Sequence, residues 1–358
     1  MRKSKTVLGD ICKITMGQSP DSSTYHTTNI GLPFYQGNAD FGELYPKTRI
    51  WCSRPQKIAE PENILLSVRA PIGALNIAKE KCCIGRGLAA IAPHKNFCFN
   101  KYLFYILKYK HNELNARGTG STFKAINKSI LNDLPIDIYP IDRQKRIAAI
   151  LDKATELIAL RKQQIQKLDL LVKSRFIEMF GNTQTNPKDL SLMPWCDVFL
   201  TTTGKLDSNA MVKNGQYPFF TCAKECFRID TYAFNCEALL LAGNNAAGIY
   251  DVKYYKGKFN AYQRTYVLRL INKQWSYKLF KIQLEDKLLY LQNQSKGSNT
   301  RYLTLGILNK LQFIVPPISE QNTFEAFVTQ VDKTKSTLQQ SLEKLELNYK
   351  ALMQTYFG

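Results

Sequence analysis

Pro140-Ile141-Asp142-Arg143-Gln144 and Pro317-Ile318-Ser319-Glu320-Gln321 are one passage written twice, 177 positions apart. In each copy a proline and a plausible N-cap, Asp142 or Ser319, open a long run free of glycine and proline. The runs close alike, at Phe180-Gly181 and Phe357-Gly358, where glycine suits a helix stop. From about Asp142 to Phe180, apolar residues recur in alternating steps of four and three: Ile147, Leu151, Ala154, Ile158, Ile165, Leu168, Val172 and Met179, with Arg161 and Arg175 interrupting. From about Ser319 to Tyr356 the matching positions are Phe324, Val328, Val331, Lys335, Leu338, Leu342, Leu345, Tyr349, Leu352 and Tyr356. At 1.5 Å per residue each helix spans about 55–60 Å. A seam that narrow, carried that far, stays soluble by pairing, so the two helices are expected to form an antiparallel coiled coil. Two helices folded back separately on their own domains are the alternative.

The repeat extends upstream. Gly120-Ser121 matches Gly297-Ser298, and Ile130-Leu131-Asn132 matches Ile307-Leu308-Asn309, at the same offset. The fronts align less well: Gly9-Asp10-Ile11 with Cys196-Asp197-Val198, Leu32-Pro33-Phe34-Tyr35 with Tyr217-Pro218-Phe219-Phe220, and Ile64-Leu65-Leu66 with Ala238-Leu239-Leu240-Leu241. So long a period excludes a solenoid and describes a duplicated domain-plus-helix unit. Asn63–Val68 with Gly85–Ile91, and Ala238–Ala242 with Tyr262–Leu268, read as partnered buried strands; Lys101–Lys110 and Ser276–Leu291 read as short helices. The expected fold class is α+β, two globular α/β domains separated by two long antiparallel helices. The boundaries expected are 1–141 for the first domain, 142–181 for a central helix, 182–318 for the second domain and 319–358 for a C-terminal helix.

The chain of 358 residues is 44% hydrophobic, enough for a core in each half, and its net charge of +20 is strongly basic. Roughly +9 falls on the first domain and roughly +8 on the second, so the charge sits on two bodies rather than in a tail. Such a surface calls for a polyanionic partner. There is no secretory signal and no apolar run near membrane-spanning length, which places the protein in the cytoplasm, away from membranes. Nine cysteines without framework spacing suit reduced thiols. Cys196, Cys222, Cys226 and Cys236 lack the paired short spacings of a zinc site and read as thiols, so no metal is expected.

The loops hold the candidate DNA-binding residues. In the first half these are Gly17, Gln18, Ser19, Arg69, Arg86, Thr119, Ser121, Thr122 and Lys124. In the second they are Asn244, Asn245, Gln263, Arg264, Ser298, Asn299, Thr300 and Arg301. Arginine, asparagine and glutamine read base edges; glycine, serine, threonine and lysine suit phosphates. Any one such loop also reads as an ordinary polar turn; their recurrence in two basic bodies is what argues for a shared role. No catalytic residue is expected. There is no P-loop. His26, His94 and His111 pair with no obvious nucleophile, and Val315-Pro316-Pro317-Ile318 lacks the polar residue of an amino-methyltransferase motif. Glu285-Asp286-Lys287 has no acidic partner for a nuclease metal site.

Taken together, the chain resembles the specificity (S) subunit of type I restriction–modification systems. The stretches that carry the likeness are Gly17-Gln18-Ser19-Pro20, Ile64 to Gly73, Gly118 to Phe123, Gln144 to Asp152 and Lys173 to Gly181. The second half departs most, with a body shorter by about ten residues and a Gly-Ser-Asn-Thr loop. The resemblance implies that each body is a target recognition domain reading half of a split site in double-stranded DNA. It implies that the helices set the gap; half-sites about one turn apart have centres about 34 Å apart, within the span of such helices. It further implies docking of two methyltransferase (M) subunits and of restriction (R) subunits, with S-adenosylmethionine, ATP and Mg2+ on those partners and no cofactor here. A fused restriction–methylation enzyme and a coiled-coil protein scaffold are the competing readings; methyl transfer by the isolated chain favours the first, and indifference to DNA sequence the second.

Overall fold

A computed structural model describes residues 3–120 and 124–358 of the chain. It divides into two compact units, Met1–Lys162 with Ser341–Gly358, and Gln163–Gln340. Both long helices are continuous, Ile141–Phe180 and Ile318–Phe357, at 40 residues each.

In the first unit, a four-stranded antiparallel sheet runs in the order Cys12–Met16, Leu88–Pro93, Ile64–Ser67, Leu75–Ile77. The expected pairing of 63–68 with 85–91 is present, in the register Ile64↔Ile91 to Ser67↔Leu88. A second sheet of five short strands includes one parallel pair, Leu32–Tyr35 beside Cys82–Ile84. Residues Asn100–Tyr109 and His111–Arg117 form two short helices, the first of which packs Tyr102, Leu103 and Ile106 into the core. Ser4–Val7 pairs with Pro135–Ile138, tying the start of the body to the chain just before the long helix.

In the second unit, one six-stranded sheet runs in the order Phe199–Thr203, Thr265–Leu270, Phe234–Ala242, Val252–Ala261, Tyr217–Phe220, Phe227–Ile229. The expected pairing is again present, Leu239↔Leu268 to Ala242↔Thr265. What is one nine-residue strand here, Phe234–Ala242, is split in the first body into Ile58–Ala59 and Ile64–Ser67. The split falls at Glu60-Pro61-Glu62, where Pro61 has no ladder donor and Glu62 takes a positive φ of 68°. The helix expected over 276–291 is two, Tyr277–Asp286 and Leu288–Gln294. At the break Lys287 sets its Nζ over Phe313, 5.5 Å from the ring centre, and burial lowers its pKa.

Each unit also contains a stretch of paired helix. In the first, Ile147, Ala148 and Leu151 share a core with Leu352 and Met353, while Lys162 bridges Glu346 at 2.8 Å; numbers rise along one helix as they fall along the other. In the second, Phe176 and Phe180 pack on Phe324 and Val328, while Lys335 bridges Asp169 at 2.6 Å, again antiparallel. Ala154, Ile158, Arg161, Ile165, Leu168, Val172, Arg175 and Met179 are all half-buried, so the two arginines lie in the seam rather than outside it.

A buried glutamine fixes the start of each helix to its body. Gln144 is fully buried; its Oε1 accepts from Phe99 N at 2.8 Å and its Nε2 donates to Tyr139 O at 2.7 Å and Phe97 O at 2.9 Å. Gln321, also fully buried, accepts from Ser276 N at 3.0 Å and donates to Pro316 O at 2.8 Å. Neutral side chains that satisfy main-chain groups avoid the cost of burying a charge while still fixing direction.

Candidate nucleic-acid interface

In the first body the expected residues gather on adjoining loops. Gly17 N donates to Leu88 O at 2.8 Å and Gln18 N to Ile84 O at 3.0 Å, which puts this loop against the Gly85-Arg86-Gly87 turn. A Cβ on Gly17 would lie 2.1 Å from Gly85 O, so only glycine allows the approach. Ser19 Oγ accepts from Arg86 N at 3.3 Å. Val68 N donates to Gly87 O and Ile126 N to Val68 O, both at 2.9 Å, stitching a third loop alongside. That loop is a hairpin closed by two bonds between Thr119 and Ala125, at 3.0 and 2.9 Å, and Arg69 pairs with Ala125 as well. Gln18, Arg69, Arg86, Thr119 and Lys124 are exposed, and Gly17 and Ser19 half-buried. Ser121 and Thr122 lie outside the described residues.

The second body repeats most of this stitching. Gly204 N donates to Thr265 O at 3.4 Å, and a Cβ there would meet Ala261 O at 1.8 Å. Gly243 N donates to Arg264 O and Leu303 N to Gly243 O, both at 2.8 Å. A hairpin is closed by two bonds between Lys296 and Tyr302, at 3.1 and 2.8 Å, and Asn244-Asn245 pairs with Arg301-Tyr302. Gly120 and Gly297 sit at the same hairpin position with φ of 117° and 104°, a conformation side chains resist. Ser298, Asn299 and Thr300 form the exposed tip, and Gln263 and Arg264 are exposed beside Gly243. Asn244 and Asn245 are half-buried. Asn245 Oδ1 is engaged by Ala247 N at 2.9 Å and Ile249 N at 3.2 Å, and Arg301 Nη1 donates to Gln292 O at 3.1 Å. These two side chains therefore shape the loop as much as they face solvent.

The first body also has an open cleft of about 460 Å3 that unites Ser19, Arg69 and Arg86 with residues the sequence did not single out: Gln36, Asn38, Asp40 and Arg49. Nothing local marks these four; their signal is the fold that brings residues 36–40 and 49 to the cleft. Three arginines against one carboxylate make the cleft cationic. Beside it Tyr25 Oη donates to Pro20 O at 3.0 Å, and burial pushes that phenol's pKa up, so it remains neutral. In the second body Tyr266 Oη donates to Leu303 O at 2.9 Å and is likewise raised by burial. Among the described residues no three of histidine, cysteine, aspartate and glutamate come together to hold a metal, Cys196, Cys222, Cys226 and Cys236 included. No helix among them is long and apolar enough to cross a membrane.

A family model for the type I restriction modification DNA specificity domain matches the chain twice, over residues 3–170 and 187–347. The chain belongs to that family. Each specificity-domain match takes in one body and much of the helix that follows it. The MjaX specificity subunit, assigned to a type I restriction enzyme in Methanocaldococcus jannaschii, is 42% identical over 157 residues, covering 44% of this chain and 37% of its own. The EcoDI type I restriction enzyme specificity subunit of Escherichia coli is 38% identical over 160 residues, covering 43% and 34%. The chain thus spans only about a third of the length of these curated relatives. The crystal structure of a type I restriction–modification S subunit from M. genitalium shares the fold across 99% of this chain and 96% of that one, with a TM-score of 0.68 at 14% identity.

Proposed function

We propose that this chain is the non-catalytic, DNA-reading subunit of a type I restriction–modification complex in the cytoplasm. Each body grips one half of a split site in double-stranded DNA, through Gly17, Gln18, Ser19, Arg69, Arg86, Thr119, Ser121, Thr122 and Lys124 in one and Asn244, Asn245, Gln263, Arg264, Ser298, Asn299, Thr300 and Arg301 in the other. The observation that carries this reading is the duplicated stitching: one set of main-chain bonds recurs in both bodies, yet presents different side chains on each. A constant frame with a variable face suits two modules doing one job on two sequences. The net charge of +20 supports a polyphosphate partner.

The long helices set the gap between half-sites and dock two M subunits, with R subunits joining; S-adenosylmethionine, ATP and Mg2+ belong to those partners. Unbroken helices of 40 residues, about 60 Å long, are stiff enough for a ruler. Exposed Leu157, Leu160, Leu170, Leu171, Ile177 and Leu347 provide apolar contacts for docking.

Methylated-base mapping in the source cell tests the reading. Deleting the gene is expected to abolish one bipartite methylated motif; an unchanged methylome overturns the proposal. Replacing residues 1–141 with another such body is expected to change one half of the motif only. Inserting whole helical turns in both helices is expected to lengthen the spacer and leave both half-sites as they were, and altered half-sites would refute the ruler.

A further inference from the structure

Asp40 is an acid placed where a DNA-facing surface should avoid one. Its side chain is 11% exposed, in the wall of the cleft lined by Arg49, Arg69 and Arg86. It accepts from Gln36 N at 2.7 Å and Gly37 N at 3.4 Å, and from Nη2 of Arg49. The main chain closes the same loop: Asp40 N donates to Gly37 O at 3.1 Å, and Lys47 N to Asp40 O at 2.8 Å. Asp40 is therefore fixed from several directions before it meets the guanidinium.

Arg49 is its opposite, with a side chain 62% exposed. Nη2 is held by Asp40 and by Ala39 O at 3.2 Å, and neither Nη1 nor Nε has a partner among the described residues. Arg69 and Arg86 have no side-chain partner among the described residues. Of three cleft arginines, one has its plane set in advance. A phosphate can also take two parallel bonds from a guanidinium, but such a contact carries no sequence information. Fixing the plane adds much for a base edge, where two parallel donors must meet two acceptors.

Resting on the DNA-reading function above, we infer that Arg49, oriented by Asp40, reads a guanine in the half-site taken by the first body. Guanine presents O6 and N7 side by side in the major groove. The Nη1–Nη2 edge meets them once Nη2 exchanges its long bond to Ala39 O for the base, while Asp40 keeps the other Nη2 hydrogen. Asp40 is then a positioning residue, and its negative charge also turns away bases that offer only acceptors to the carboxylate side.

The test places Arg49→Lys and Asp40→Asn in the chromosomal gene and maps methylated bases. Lysine keeps the charge but loses the paired donors. Expected for R49K is a loss of about 10- to 100-fold in preference for guanine at one position of one half-site, with every other position unchanged. D40N should relax that same position by a smaller factor, which a merely weakened fold would not do. R49K methylating the wild-type motif with its preference intact overturns the assignment, and so does uniform loss at all sites. If the wild-type motif itself does not depend on the gene, the underlying DNA-reading function fails, a distinct result from an intact motif that ignores Arg49.

Discussion

Gln144 and Gln321 show how little a residue's part in the fold depends on its being conspicuous. Both were visible as a matched pair 177 positions apart, but nothing in the sequence said that each would be buried and bonded to the main chain at the root of a helix. That role arises only when Phe97, Phe99 and Tyr139, or Ser276 and Pro316, are brought round them by the fold. Leucine at either site leaves buried groups without partners, at about 1–3 kcal/mol. Q144L is expected to lower the denaturant midpoint more than Q321L, since three bonds are lost against two; equal or negligible shifts would contradict the clamp. The cysteines divide just as plainly. Cys12, Cys52, Cys82, Cys83 and Cys98 are buried, and burial raises the thiols of Cys82 and Cys98 to about 12 and Cys83 to about 11. Near neutral pH, maleimide should label Cys196 and Cys226 first and those five only on unfolding, as read by mass spectrometry.

Among elements, those governed by local pattern were legible and those governed by distant partners were not. Steps of four and three fixed both long helices, and continuous apolar runs fixed the two central strand pairs, because each pattern is enforced by its own period. The cleft of the first body was not legible: Asp40 and Arg49 stand nine positions apart in a loop that has no period. Pro61, which divides one strand of that body into two, is a local sign of that break, since proline has no ladder donor. Helix ends carry aromatic anchors. Phe180 is fully buried, with ring centres of Phe176 and Phe324 at 5.3 and 5.5 Å; Phe357, partly buried, lies 5.5 Å from Tyr102. F180A should cost about 3–5 kcal/mol and F357A less. Thermal unfolding of the two variants will rank them, and the reverse order would show that burial is not what anchors these ends.

Across the whole molecule, charge is the property that sequence alone states correctly, because summing it needs no coordinates. If the two basic bodies hold some six to ten phosphates between them, affinity for DNA should fall by about 10^3 to 10^5 between 50 and 200 mM salt. Fluorescence anisotropy across a salt series measures that slope, and a flat response would remove phosphate contact from the account. The preference among sequences should persist as the affinity falls, since base contacts are far less sensitive to counterions than phosphate contacts.

The hairpin of the second body is closed by main-chain bonds at Lys296 and Tyr302, and Ser298, Asn299 and Thr300 at its tip lie outside the core. Mutations there are almost free of the stability threshold that purges most changes in a protein. If that tip touches DNA as proposed, a change of a single codon there would alter what the second body reads while leaving its scaffold in place, and related chains would be expected to vary at 298–300 more than along the strands that carry them.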